Sequence, residues 1–443
     1  MSTALTQRTT DHTAGDTVFF QGEFQLEGWH ILVLRGPVKL LDDVEYISFT
    51  GDFGFRYAYF LPSREFIADH IACSSKLFSH FNTNILNFEF ILPGIGSNIE
   101  IDRIAEFEMF LNRHNNRTSS SGMDKEDHSN GDFKWYRYLE SLMIDVIRQI
   151  PFGVVTLANN HALDYGPKAV GYNEQQLRKV GAVCFGTTQN PYTRLQQISG
   201  DVFVYSMTDL IDRQDDEHLM ARLDKPNINE AKKRIQKVDF TAAFVHVRAN
   251  RSVYPSPYEL DLVDQLIDAG FKLVVCTGSH WIKGYKLRRG VPVFFGTGNY
   301  LFPFTRDLTE REGMHVVAGL RQGKLVQLFV VPYSNKFESG NSGPLKGSDL
   351  QKFKKVFQDR SKYNHLKFLS DGRNLYELKC RIREARLSSL RNIRGSLQAS
   401  DSLVLLCNLP AIFKEGKFGI IIITSVIFLG WILSMLVRIL SAH

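Results

Sequence analysis

Three features of the sequence predict an α/β fold. Short apolar, strand-like runs alternate with amphipathic stretches, which argues for a layered architecture. The runs are bounded by Gly, Asn, Asp and Ser, residues that end strands in turns. Five of them leave a carboxylate, an amide or an imidazole at their carboxyl ends, where open α/β sheets place their chemistry.

Residues 1–16 are polar, and 17–43 read as additional strands, so 1–43 is set apart as an N-terminal extension of a main domain spanning 44–337. The first core strand, 47–56, is β-branched and aromatic and runs through Gly51-Asp52; the next, 84–89, ends on Glu89. Polar residues 113–132 form an insertion expected to be a flexible loop, and 135–150 has helical apolar spacing. The apolar strand 152–156 leads into Leu157-Ala158-Asn159-Asn160-His161-Ala162-Leu163-Asp164-Tyr165-Gly166. A helix begins near Gly166-Pro167, where proline suits the first turn, with a short helix at 174–180 and a strand at 181–186. Runs 240–246 and 272–280 are strands ending on His246 and His280, separated by an amphipathic helix at 257–269. Beyond residue 337, Ser339 to Pro344 mark a linker. Segments 348–357 and 374–397 read as helical and basic, so 338–416 is taken as a membrane-proximal stalk or partner surface.

Asp52, Glu89, Asn160 with His161, His246 and His280 are therefore delivered by five different strands. Carboxylate oxygen, amide oxygen and imidazole nitrogen are the donors that Mn²⁺, Fe²⁺ or Zn²⁺ accepts. Two such ions about 3.5–4 Å apart can polarise a phosphoryl oxygen and supply a nucleophile near neutral pH. No local zinc-finger spacing is present, which argues against a structural zinc. The alternative for 157–166 is a plain turn, because Asn and Asp are ordinary turn formers.

The order of the motifs resembles that of the CapA family, the PgsA-like poly-γ-glutamate capsule synthesis family of the calcineurin-like metallophosphoesterase superfamily. The residues that carry the resemblance are Gly51-Asp52 with Arg56, Asn87-Phe88-Glu89, Ala158 to Gly166, His246 to Asn250, Cys276 to His280 with Gly284, and Gly296 to Phe302. The resemblance implies an α/β/β/α sandwich holding one or two divalent ions. Asp52, Glu89 and His280 would serve one ion and Asn160 with His246 the other, and His161 would donate a proton to a leaving group. Asp164 either holds the His161 ring and raises its pKa or caps the following helix. Two departures deplete the second site: Gly278 stands where the family has a histidine, and Val247-Arg248-Ala249-Asn250 replaces a segment that carries a carboxylate. Arg248 either grips a phosphate or carboxylate through its planar fork or is solvated.

Residues 418–437 contain no charge, and a helix of roughly twenty residues spans a hydrocarbon core of about 30 Å. A single transmembrane helix at 417–440 is expected, with 403–413, broken by Pro410, lying at the interface. Arg383, Arg386, Arg391, Arg394, Lys414 and Lys417 precede the span and Arg438 follows it, so the positive-inside rule puts the globular part in the cytoplasm, anchored to the plasma membrane by its C-terminal helix. The amino terminus lacks the apolar core of a signal peptide, and five scattered cysteines fit a reducing compartment.

With 23% charged and 44% hydrophobic residues the chain is ordinary globular material plus an anchor. Its net charge of +6 favours anionic polymer or lipid headgroups no more strongly than solvated surface charge explains it. No nucleic-acid motif is present. Two function classes stay open. One is a metal-dependent hydrolase of a phosphoester or of an anionic polymer, including a small or lipid-linked phosphate. The other is a weakly catalytic or non-catalytic member of a capsule or exopolymer synthesis and export complex.

Overall fold

The alternating runs fold as two β-sheets in a computed structural model that describes residues 20–54, 64–89, 144–145, 148–149, 152–163, 167–209, 219–247, 252–302, 312–336 and 341–363. The expected insertion at 113–132, the basic segment 374–397, the span 418–437 and residues Arg56, Asp164, Arg248 and Asn250 lie outside the described residues. Among the described residues no helix is long and apolar enough to cross a membrane.

In chain order the strands are β1 (Gly22–Leu26), β2 (Trp29–Arg35), β3 (Glu45–Phe53), β4 (Thr83–Phe88), β5 (Val154–Thr156), β6 (Val183–Phe185), β7 (Tyr192–Arg194), β8 (Val202–Thr208), β9 (Phe240–His246), β10 (Leu273–Thr277), β11 (Tyr285–Arg288), β12 (Val291–Phe294), β13 (Asn299–Leu301), β14 (Glu312–Arg321), β15 (Lys324–Lys336) and β16 (Asn341–Pro344). The first sheet runs β1-β2-β15-β14-β3-β4-β5-β6, with β13 beside β3 and β16 beside β15. The second runs β11-β12-β10-β9-β8-β7. Strands β3 to β6 are mutually parallel, as are β8, β9, β10 and β12, so each sheet gathers several carboxyl ends along one edge.

Parallel neighbours need crossover connections, and helices supply them. Helix Arg64–Phe78 joins β3 to β4 and helix Pro167–Lys179 joins β5 to β6. Their Ile71, Leu77, Phe78, Ala169, Val170 and Leu177 pack with Tyr46, Leu86 and Val155 on one face of the first sheet. The opposite face carries Ile47, Phe49, Ile85 and Val154, which share a core with Val204, Phe244, Val275 and Phe294 of the second sheet. The period-two alternation of each strand thus serves two cores. The rings of Phe49 and Phe244 meet directly across the sheets, 5.6 Å apart.

In the second sheet, helix Lys225–Ile235 crosses between β8 and β9 and buries Ile228, Ala231 and Ile235. Helix Pro257–Ala269 crosses between β9 and β10, on the bounds its apolar period predicts. Its first turn is a capping box in which Ser256 N donates to Glu259 Oε2 and Glu259 N to Ser256 Oγ.

The chain divides into two compact units, Met1–Ala249 with Asp261–Lys362, and Asn250–Leu260 with Tyr363–His443. Both sheets lie in the first. That unit reaches past the 44–337 span at both ends. Strands β1 and β2 pair with each other and through β2 with β15, so residues 22–35 are part of the sheet. Helix Gly347–Ser361 inserts Leu350, Phe353 and Phe357 into the inter-sheet core instead of projecting as a stalk. Its apolar residues at i, i+3 and i+7 form the stripe that such packing requires.

Candidate metal centre

Asp52 is aimed by a bulge. The register between β3 and β4 slips between Thr50 and Asp52, leaving Gly51 as the extra residue. A Cβ on Gly51 would lie 2.0 Å from the carbonyl oxygen of Gly298, so only glycine lets that neighbouring segment approach. Asp52 N donates to the same carbonyl. The Asp52 carboxylate accepts hydrogen bonds from Thr277 Oγ1, from Asn87 Nδ2 at 2.7 Å and from Gly278 N at 3.1–3.2 Å.

Glu89 follows β4 directly, and its N–H donates to Phe53 O. The loop after β5 is tied to this strand end by Asn159, whose Nδ2 donates to Phe88 O at 2.7 Å while its Oδ1 accepts from His161 N at 3.0 Å. Asn159 is therefore a turn former, and its neighbours are left facing the cluster. Asn160 Nδ2 lies 3.1 Å from His161 Nε2, and Asn160 Oδ1 is buried with no hydrogen-bond partner among the described residues.

His246 ends β9 and Thr277 ends β10, paired in register. Gly278 follows at φ +88°, and a Cβ there would lie 2.6–2.7 Å from three atoms of the His246 ring. The His246 imidazole occupies the space a side chain at 278 would need, which explains the glycine at this position. His280 also has a left-handed backbone, at φ +58°. Its Nδ1 lies 2.8 Å from Asn299 Oδ1 and 3.4 Å from Asp52 Oδ2.

Three imidazoles converge on one carboxylate oxygen. The Nε2 atoms of His161, His246 and His280 lie 3.8, 3.8 and 3.5 Å from Glu89 Oε1. These separations exceed hydrogen-bond lengths. Metal–nitrogen and metal–oxygen bonds of about 2.0–2.2 Å put adjacent ligands roughly 3–3.5 Å apart, a spacing the His280 contact meets and the His161 and His246 contacts exceed by about 0.3 Å. Ligand atoms of Asp52, Glu89 and His246 all lie within 4.8 Å of one another. Together with the orphaned amide oxygen of Asn160, this donor set fits a divalent ion.

The electrostatics agree with that fit. Burial raises the Asp52 pKa, but the hydrogen bond and charge of His280, with His246 and Thr277, outweigh it and hold the carboxyl at about 2. Burial drives His246 down to about 3 against the opposing pull of Asp52. At neutral pH the acid is ionised and the imidazole neutral, the states in which both ligate metal. Side-chain exposure separates the members: 0–2% for Asp52, Glu89 and His246, but 13% for His161 and 23% for His280. The solvent-facing side of the cluster is therefore the His161–His280 side.

The residues of all five strand exits thus lie beside one another. Ligand atoms of His246 lie within 4.8 Å of those of Asp52 and Glu89, and Asn160 stands beside His161. Asn87, Thr277 and Asn299 carry no assigned role in the sequence reading, yet all three bond directly to Asp52 or His280. Their signal was their place inside the motifs that carry the resemblance.

Among solved structures, a hypothetical protein from Thermus thermophilus is similar at 15% identity and a TM-score of 0.35, over 65% of this chain and 99% of its own. A 5′-nucleotidase from Candida albicans is similar at 11% identity and a TM-score of 0.34, over 72% of this chain and 58% of its own. Likeness at these scores carries no functional weight. No curated protein matches the chain. Residues 120–303, which hold Asn160, His161, His246 and His280, match the family model of the bacterial capsule synthesis protein PGA_cap, a CapA domain of the metallophosphoesterase-like superfamily.

Proposed function

We propose that this chain is a divalent-metal hydrolase acting in capsule or exopolymer synthesis, built on the calcineurin-like α/β/β/α sandwich and tethered to the membrane. The observation that carries the reading is the convergence of Asp52, His246 and His280 on the Glu89 carboxylate. Asp52, Glu89, His246 and His280 would hold the ion, with Asn160 Oδ1 beside them. When bound, an ion of the Mn²⁺, Fe²⁺ or Zn²⁺ type supplies Lewis acidity toward a phosphoryl or carbonyl oxygen.

The protein's own side chains divide the remaining work. Thr277, Asn87 and the Gly278 amide hold Asp52 ionised and fixed. Burial keeps His246 neutral. His161, partly open to solvent beside the carboxylate, is placed to hand a proton to a departing group. The substrate class is a phosphate-containing or otherwise anionic polymer or its lipid-linked precursor. The apolar run 418–437 and the basic residues before it support an anchor with the sheets on the cytoplasmic side.

A second reading, a capsule-complex component without turnover, is favoured by Gly278, whose contact with His246 leaves no room for a further ligand. Hydrolysis of an activated phosphodiester by the full chain with added Mn²⁺ separates the two. Under the hydrolase reading His161→Gln lowers turnover by about 10²-fold or more while Mn²⁺ affinity stays within threefold. Equal turnover in both proteins removes the proton-donor role, and absence of turnover in wild type with metal bound establishes the second reading.

A further inference from the structure

His280 is the most exposed of the three imidazoles of the cluster and sits on a left-handed backbone. The segment from β13 onward holds its ring. Asn299 Oδ1 lies 2.8 Å from Nδ1, and the Phe302 ring packs against the imidazole with centroids 4.9 Å apart. Asn299 is itself held rigidly: it is fully buried, paired in register with Asp52, and its carbonyl accepts from Asn335 Nδ2.

We propose that Asn299 is a positioning residue that fixes the His280 tautomer, keeping the proton on Nδ1 and the Nε2 lone pair directed at the Glu89 side of the cluster. Both oxygens near Nδ1, Asn299 Oδ1 and Asp52 Oδ2, are acceptors, so a proton on Nδ1 satisfies them. The opposite tautomer would set a bare nitrogen against two oxygens. With the proton on Nδ1, Nε2 presents a lone pair 3.5 Å from a carboxylate oxygen, an arrangement made favourable by a cation between them. Orienting bonds of this kind to the second nitrogen of a ligating imidazole change metal affinity by about 10–100-fold. The inference rests on the metal-binding reading above for its consequence, but the tautomer itself is a property of the metal-free protein.

The test has two arms. Long-range ¹H–¹⁵N spectra of ¹⁵N-histidine-labelled, metal-free full chain should show His280 protonated at Nδ1; a proton on Nε2 overturns the proposal. Mn²⁺ titration calorimetry then compares wild type with Asn299→Leu and Asn299→Asp. Asn299→Leu should weaken binding at least tenfold, while Asn299→Asp, which keeps the acceptor, should bind within threefold of wild type and retain the tautomer. Unchanged affinity in Asn299→Leu, or the same loss in both variants, overturns the positioning role. Should Asn299→Leu not fold, wild type and Asn299→Asp still decide. If wild type binds no divalent ion, the functional reading fails on its own, while the tautomer spectrum still tests Asn299.

Discussion

Placing a histidine at position 278, as the resembled motif would have it, should damage the candidate centre rather than complete it. Gly278 adopts φ +88°, and any Cβ there would stand 2.6–2.7 Å from Nε2, Cδ2 and Cε1 of His246. The left-handed backbone alone costs an L-residue about 1–2 kcal/mol. Pushing a fully buried ring out of its packed position adds about 1–3 kcal/mol. Gly278→Ala and Gly278→His should therefore both lose roughly 2–5 kcal/mol of unfolding free energy, measured by denaturant melts of the metal-free chain. Because the displaced ring belongs to the proposed ligand set, Mn²⁺ affinity should fall in both. A Gly278→His protein with undiminished stability that binds an additional ion would refute the packing argument and show that the site was merely missing a donor.

Acid sensitivity should come in part from a buried histidine outside the proposed ligand set. His70 is buried against Tyr300, and burial lowers its pKa from 6.5 to about 4. The unfolded chain takes up a proton below pH 6.5 that the folded chain refuses until about pH 4. Stability is thus full above pH 6.5 and falls as pH drops through that window, by about 2 kcal/mol at pH 5 from this residue. His70→Phe should flatten the profile by that amount, and an unchanged profile would remove His70 as the cause. For the anchor, protease added to intact spheroplasts should leave the sheet domain whole and digest it after lysis; cleavage without lysis would reverse the orientation.

The sequence made the core strands legible because buried parallel strands are short apolar runs, and β9 and the helix 257–269 fall on the residues their patterns indicate. The site residues were legible for a related reason. A charged or imidazole side chain at the end of an apolar run stands out against its neighbours, as Glu89, His246 and His280 do. What holds those side chains was not legible. Asp52 and Thr277 meet across 225 positions, and no local period links them. The pairing of β2 with β15 is equally remote, which is why the first strands read as an extension. Helix Gly347–Ser361 had a visible stripe of Leu350, Phe353 and Phe357, but its basic residues drew the reading toward a surface role.

Metal stoichiometry of the purified full chain bears most directly on the central claim. After loading with Mn²⁺ or Zn²⁺ and mild dialysis, elemental analysis should find nearer one ion per chain than two. A His246→Ala variant with unchanged circular dichroism should lose it. Absence of retained metal in wild type would contradict a metal centre at Asp52, Glu89 and His246, and two tightly held ions would contradict its depleted second site.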